Sequence, residues 1–507
     1  MKYLAGSLVV FLCVGACIGA DYYVAISGKD SNTGTSQEEP WASLQVALGS
    51  TALAPGDTIH VGAGEFAGSA ATKRSGNERD RITLVGADER RTVIKGKLAV
   101  THDYYNIVGV MFDRGYPTLD GCAFVTVSNC EMKRALHGIY LTGGAHDCTI
   151  ISNEFHHPTA TYGMLDLGGY NHTIVGNVLR DSSGQDAIRA NGAHTIFIQN
   201  NSFLRIISPA SLHLKAALRA PLAIENGAKS LNIGSGFAFT VDDSVTLYSA
   251  SNSSIRMAGF VTDYSNGILA VDVFEALGSG IQEDWQIKLS AGNNHADIVQ
   301  AFTFDSYDIV FDGNKMIDCT AQLGNIEQNN NPNVRDYTFR NNLFVNSRIQ
   351  INVYAPGFRF YNNTVFSTDG NVGFRAATAT KGDGKPIRVY NNIFCRVGAI
   401  ESGGPYSGAL ADYNLMTDYA DDSAKEDFTE AHGINGGYVP EEIFVDPLNL
   451  DFRLRDGSPA IGKGTNLFSH GVVADILGAA RGGSYDMGAY SYEHGSIPAR
   501  PTGLQVK

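Results

Sequence analysis

The chain has 507 residues, 43% hydrophobic and 18% charged, which is ample to bury a large core. Its formal net charge of −14 argues against a nucleic-acid partner, and an acidic ligand would need a local basic group. Glycine is abundant at 57 residues against 15 prolines, a balance suited to an all-β chain with many tight turns.

The first segment, residues 1–20, reads as an export signal. Lys2 is its basic start, Leu4 to Ile18 is mostly apolar and too short for a comfortable membrane span, and Ala20 precedes the cleavage point. The mature chain would then be secreted or periplasmic. The run Val14-Gly15-Ala16-Cys17 is the competing lipoprotein signature, but it leaves almost no tether before the first strand. No other stretch is long and apolar enough to span a bilayer. Five cysteines remain after the signal: Cys122, Cys130, Cys148, Cys319 and Cys395. An odd number at scattered spacing predicts small apolar core residues, not a disulfide framework.

The segments VTVSNCEM, TIISNEF, TIVGNVL and IFIQNNSF each end a β-rich run at an asparagine, and Asn129, Asn153, Asn177 and Asn201 follow one another by 24 residues each time. IVFDGNKM, YTFRNNLF, FRFYNNTVF and IRVYNNIF continue the theme at Asn314, Asn342, Asn363 and Asn392. A strand-period unit of two dozen residues is too short for a propeller blade and fits one turn of a parallel β-solenoid. Turns stack about 4.8 Å apart, so equivalent side chains form ladders. An asparagine at a fixed turn position tolerates left-handed backbone and can bond its counterpart above. These asparagines are therefore structural.

Two solenoid portions are expected, 21–205 and 294–495, with 496–507 as a trailing linker. Between them, residues 206–293 break the rhythm. There DDSVTLYSA, IRMAGFVTDY, GILAVDVFEA and DWQIKLSA read as strands of a small antiparallel insert, with Trp285 in its core.

The opening DYYVAISGKDSNTGTSQEEPWASLQVAL, followed by APGDTIHVGAGEF and RITLVGADERRTVIKG, resembles the start of right-handed β-helix polysaccharide lyases and their relatives. In that superfamily a short helix, here Trp41 to Leu48, covers the end of the core. VDPLNLDFRLRDGSPAIGKG and ADILGAARGGSYDMGAYSYE are similar to its closing segment. The resemblance implies an all-β right-handed parallel β-helix. It does not select one reaction, because the fold carries lyases, hydrolases, epimerases and adhesins.

The second strand of each turn reads HGIYL, GMLDL, DAIRA, DIVQA and NIEQ. Its outward positions are Tyr140, Asp166, Arg189, Gln300 and Glu327, on successive turns. His137, Asp186 and Asp297 come just before these strands, with His295 close to Asp297. Three chemistries fit the row. β-Elimination from a uronic-acid polysaccharide needs a base, His295 or Tyr140, and a neutraliser for the sugar carboxylate. That neutraliser is Arg189, or a calcium ion held by Asp166, Asp186, Asp297 and Glu327. Gln300, Glu327, Asp166 and His137 would bind sugar. The resemblance to chondroitinase B and alginate lyases implies a lysine beside the arginine, and the row contains none. Glycoside hydrolysis would instead pair acids: Asp186 with Asp297, about 5 Å apart in backbone, or Asp166 with Asp297, about 10 Å. The third reading is a sugar-binding solenoid without catalysis. No organic cofactor is expected, since phosphate-binding and nucleophile motifs are absent, and nothing fixes an oligomeric state.

Two further expectations concern histidines. Adjacent side chains on a strand face opposite sides, so His156 and His157 should not share a ligand. His172 and His194 recur at the start of successive strands and should share one ladder.

Overall fold

The computed structural model describes residues 19–159, 162–207, 215–290, 296–301, 304–319, 322–326, 333–347, 349–351, 356–370, 372–376, 385–401, 409–417 and 430–492. The chain is a right-handed parallel β-helix. Each turn contributes one strand to a 13-stranded sheet and further strands to a 22-stranded sheet that bends around the core.

Alternation along short strands decides what points inward. One interior column stacks Ile107, Val127, Ile150, Ile174, Ile198, Phe311, Phe339 and Phe360. A second stacks Phe112, Met132, Phe155, Leu179, Phe203, Met316 and Phe344. All are buried. The five cysteines are buried in this packing.

The turn between the two sheets carries the asparagine ladder, with one refinement. Left-handed backbone and ladder bonding fall on consecutive residues. Ser152, Gly176, Asn200, Gly313, Asn341, Asn362, Asn391 and Tyr413 have positive φ. The next residue is always a ladder asparagine. Asn153 donates both its backbone N–H (2.9 Å) and its Nδ2 (3.1 Å) to Oδ1 of Asn177. The pattern repeats upward through Asn201, Asn314, Asn342, Asn363, Asn392 and Asn414. At the top, the carboxylate of Glu430 takes both donors of Asn414. Asn129 is not a ladder member. It has φ +52°, and Cys130 takes the ladder place, donating its N–H to Asn153.

An α-helix, Leu44–Gly49, covers the first turn. Ser43 caps it by accepting the Val46 N–H at 3.3 Å, and Leu44, Ala47 and Leu48 face the core. This prevents the open end from exposing core and strand edges. The closing segment behaves differently from an end cap. Ile443, Phe444, Phe452, Met487 and Ala489 pack on Leu343, Phe366, Ile393 and Leu415, along the outside of the 13-stranded sheet.

The interruption contains a six-stranded antiparallel sheet, running from Lys215–Ala223 to Ile281–Leu289. It has its own apolar cluster, with Trp285 fully buried. Among the described residues, no helix is long and apolar enough to cross a membrane.

Candidate functional site

Backbone pairing brings the expected row together. Thr118 pairs with Tyr140, Tyr140 with Asp166, Asp166 with Arg189, and Arg189 with Gln300. The step from Arg189 to Gln300 crosses the whole insert. The register then pairs Gln300 with Asn325, so Asn325 holds the place assigned to Glu327. Glu327 and His295 lie outside the described residues, and no role for either is placed by the structure.

His137 precedes the strand Ile139–Thr142 and stands over the row. Its Nδ1 is 2.5 Å from Oδ2 of Asp166. The imidazole stacks on Tyr140 (centroids 4.9 Å, 9°) and on Tyr162 (4.4 Å, 29°), and Tyr116 tilts against it at 5.0 Å. Two rings stacked against it restrict its plane.

Asp186 and Asp297 interlock. Oδ1 of Asp186 accepts the Asp297 backbone N–H at 2.9 Å, and the Asp297 carbonyl accepts the Ala187 N–H at 2.8 Å. Oδ2 of Asp186 lies 3.6 Å from Nε of Arg189, and Oδ2 of Asp297 accepts Nε2 of Gln300 at 3.4 Å. The acids are far more buried than a solvated row would be. Asp166, Asp186 and Asp297 are 3%, 4% and 0% exposed. Burial pushes the Asp186 carboxyl up to about 7, with Asp166 adding to the effect. The Asp297 amide and Arg189 oppose that rise. Tyr140 and Arg189 are half-buried, and the Arg189 side chain keeps 22% of its surface. Gly163 leans on that side chain: a Cβ there would meet Arg189 Cγ at 3.0 Å.

Among the described residues, Asp166, Asp186 and Asp297 do not form a group with ligand atoms close enough to share one cation. The group that does is His156, His157 and Asp242, whose ligand atoms lie within 4.8 Å of one another. This overturns the expectation that the two histidines diverge. His156 ends the strand Glu154–His156, but His157 has φ +50°, which breaks the alternation and swings its ring to the same side. His172 and His194 do not share a ladder either. His194 pairs with Tyr170, while the buried His172 pairs with Ile196 and accepts the Cys148 N–H.

Residues 118–272 match the family model of the right-handed beta helix region. The β-helix match spans the turns bearing Tyr140, Asp166 and Arg189, then runs into the antiparallel insert and stops short of Gln300. No curated protein matches the chain. Among solved structures, it is similar to pectate lyase Pel9A, with 15% identity, TM-score 0.42, and 94% of this chain and 98% of that chain covered. It is also similar to an alginate lyase from Paenibacillus sp. strain FPU-7, with 14% identity, TM-score 0.37 and coverage of 71% and 95%. A third is the GH136 lacto-N-biosidase from Eubacterium ramulus, with 11% identity, TM-score 0.41 and coverage of 83% and 68%.

Proposed function

We propose that the protein is a secreted carbohydrate-active β-helix, a lyase that cleaves a uronic-acid-containing polysaccharide by β-elimination. One observation carries the reading: His137 is paired with Asp166 of the next turn and Arg189 follows one turn further on, while the acids a hydrolase would need are enclosed. A glycosidase must place one carboxyl on the glycosidic oxygen and another near the anomeric carbon. Asp297 is 0% exposed and Asp186 is tied to the Asp297 amide, which disfavours that role, whereas Arg189 and Tyr140 are half-buried and reach the surface.

In this scheme the Asp166 carboxylate accepts Nδ1–H of His137, leaving Nε2 as the basic nitrogen. Nε2 removes the proton on the sugar carbon next to the carboxylate. The C–H electron pair becomes the new C=C bond, and the bond from the neighbouring carbon to the glycosidic oxygen breaks. Tyr140 returns a proton to the leaving oxygen. Arg189 stabilises the charge that builds on the sugar carboxylate. Asp186 holds the guanidinium, and Gln300 and the tyrosines contact the sugar.

Calcium held by Asp166, Asp186, Asp297 and Glu327 is the competing neutraliser. Asp166 is engaged by His137 and Asp186 by the Asp297 amide, which favours Arg189. Incubation with pectate, alginate and glycosaminoglycans tests the reaction. A lyase releases an unsaturated product with near-UV absorbance, and that absorbance survives EGTA if Arg189 is the neutraliser. Reducing ends without absorbance indicate hydrolysis, and binding without product indicates a sugar-binding solenoid.

A further inference from the structure

We propose that His156, His157 and Asp242 form a site for a divalent transition-metal cation of the zinc type, which fastens the inserted module to the solenoid. The two imidazoles come from one turn of the β-helix, and Asp242 comes from the insert, where its positive φ of +74° lies in a turn. The histidine rings are edge to face, with Nδ1 atoms 2.8 Å apart. Both side chains are only 5% exposed.

The outer nitrogens are the second observation. Nε2 of His156 is 3.0 Å from Oε1 of Glu131. Nε2 of His157 is 3.5 Å from Oγ1 of Thr240 and 3.9 Å from Oδ1 of Asp243. Metal-bound histidines typically donate their remote N–H to a carboxylate or another oxygen, which fixes the tautomer and strengthens the ligating nitrogen. Here both remote nitrogens have such acceptors, so both Nδ1 lone pairs are directed at the shared space. Without a cation, one Nδ1 must carry a proton to hydrogen-bond the other. With one, both are ligands after opening by roughly half an ångström, the spread that about 2.0–2.1 Å bonds in a tetrahedron require.

Surrounding charge is compatible. Nη1 of Arg134 lies 3.1 Å from Oδ1 of Asp242, but Arg134 is also held by both oxygens of Asp113, so it keeps a partner when Asp242 ligates. Arg180 faces His157, while Glu131 and Asp243 set carboxylates against the remote nitrogens of His156 and His157. Two imidazole nitrogens and one carboxylate oxygen suit zinc, cobalt or nickel. Calcium and magnesium prefer an all-oxygen set.

The test is titration of the chelator-stripped full chain with Co2+, read by visible d–d absorption and followed by Zn2+ competition. The expected result is saturable binding of one equivalent that Zn2+ displaces. His157→Gln should abolish it, Asp242→Asn should weaken it, and Glu131→Gln should weaken it about 10–100-fold through orientation of His156. Asp242→Asn, a change in a turn of the insert, keeps the test decisive if His157→Gln does not fold. The proposal is overturned if the wild type binds no Co2+ saturably, or if His157→Gln and Asp242→Asn bind as the wild type does.

Discussion

Asp186 accepts the backbone N–H of Asp297 at 2.9 Å although 111 residues separate them. The whole antiparallel module lies between the two, yet the turns on either side close on each other in register, Arg189 against Gln300 and Ile198 against Phe311. Loop-closure cost grows only slowly with length, so a module that folds on its own core can be accommodated here. The asparagine ladder crosses the same gap, from Asn201 to Asn314. The interrupted site is therefore held from both sides by solenoid bonds.

Asp186 makes stability depend on pH. Its ordinary value is 3.8, and burial raises it to about 7 in the folded chain. Between those values the native state holds a proton that the unfolded state has lost, so stability falls as pH rises from about 4 to 7. The full effect is on the order of 4 kcal/mol. Asp186→Asn keeps the acceptor for the Asp297 amide and removes the titration. In denaturant unfolding, the variant should gain on the wild type from pH 5 to pH 8; parallel pH curves would refute this.

The ladder should be costly to break. Oδ1 of Asn314 accepts two bonds from Asn201, and its Nδ2 donates to the Ile198 carbonyl at 2.8 Å and to Asn342. Asn314→Ala leaves several buried polar groups unmet, a loss of roughly 3 kcal/mol. The measurement is the denaturation midpoint, and a change below about 1 kcal/mol would show the ladder to be dispensable.

Trp285 tests the independence of the insert. It lies in an apolar cluster separate from that of the solenoid. Trp285→Ala should cost roughly 3–5 kcal/mol. Limited proteolysis should then cut within the module first and leave the solenoid intact. Simultaneous loss of both would show that they fold as one unit.

The sequence made the row legible because its cause is periodic. Asp166, Arg189 and Gln300 sit at equal positions in recurring strands, and pairing follows from that alone. What it hid was departure from the period. Asn325, not Glu327, pairs with Gln300, because the interval between paired positions varies from turn to turn, 23 residues from Asp166 to Arg189 and 25 from Gln300 to Asn325. His157 turns towards His156 because one residue takes a left-handed conformation, which strand alternation does not foresee. An outward position in the row does not by itself mean exposure: Asp166 pairs with Arg189 yet is 3% exposed. The pairing of His137 with Asp166 is a contact between turns that the strand period does not specify.

The most direct measurement is the initial rate of near-UV absorbance gain on a uronic-acid polymer by the wild type, Arg189→Ala and His137→Ala, each checked for folding. The account predicts a rate from the wild type and a fall of at least about a hundredfold in each variant, for loss of the neutraliser or the base. Both variants turning over at near wild-type rates, or polymer shortened with no absorbance from the wild type, would contradict it.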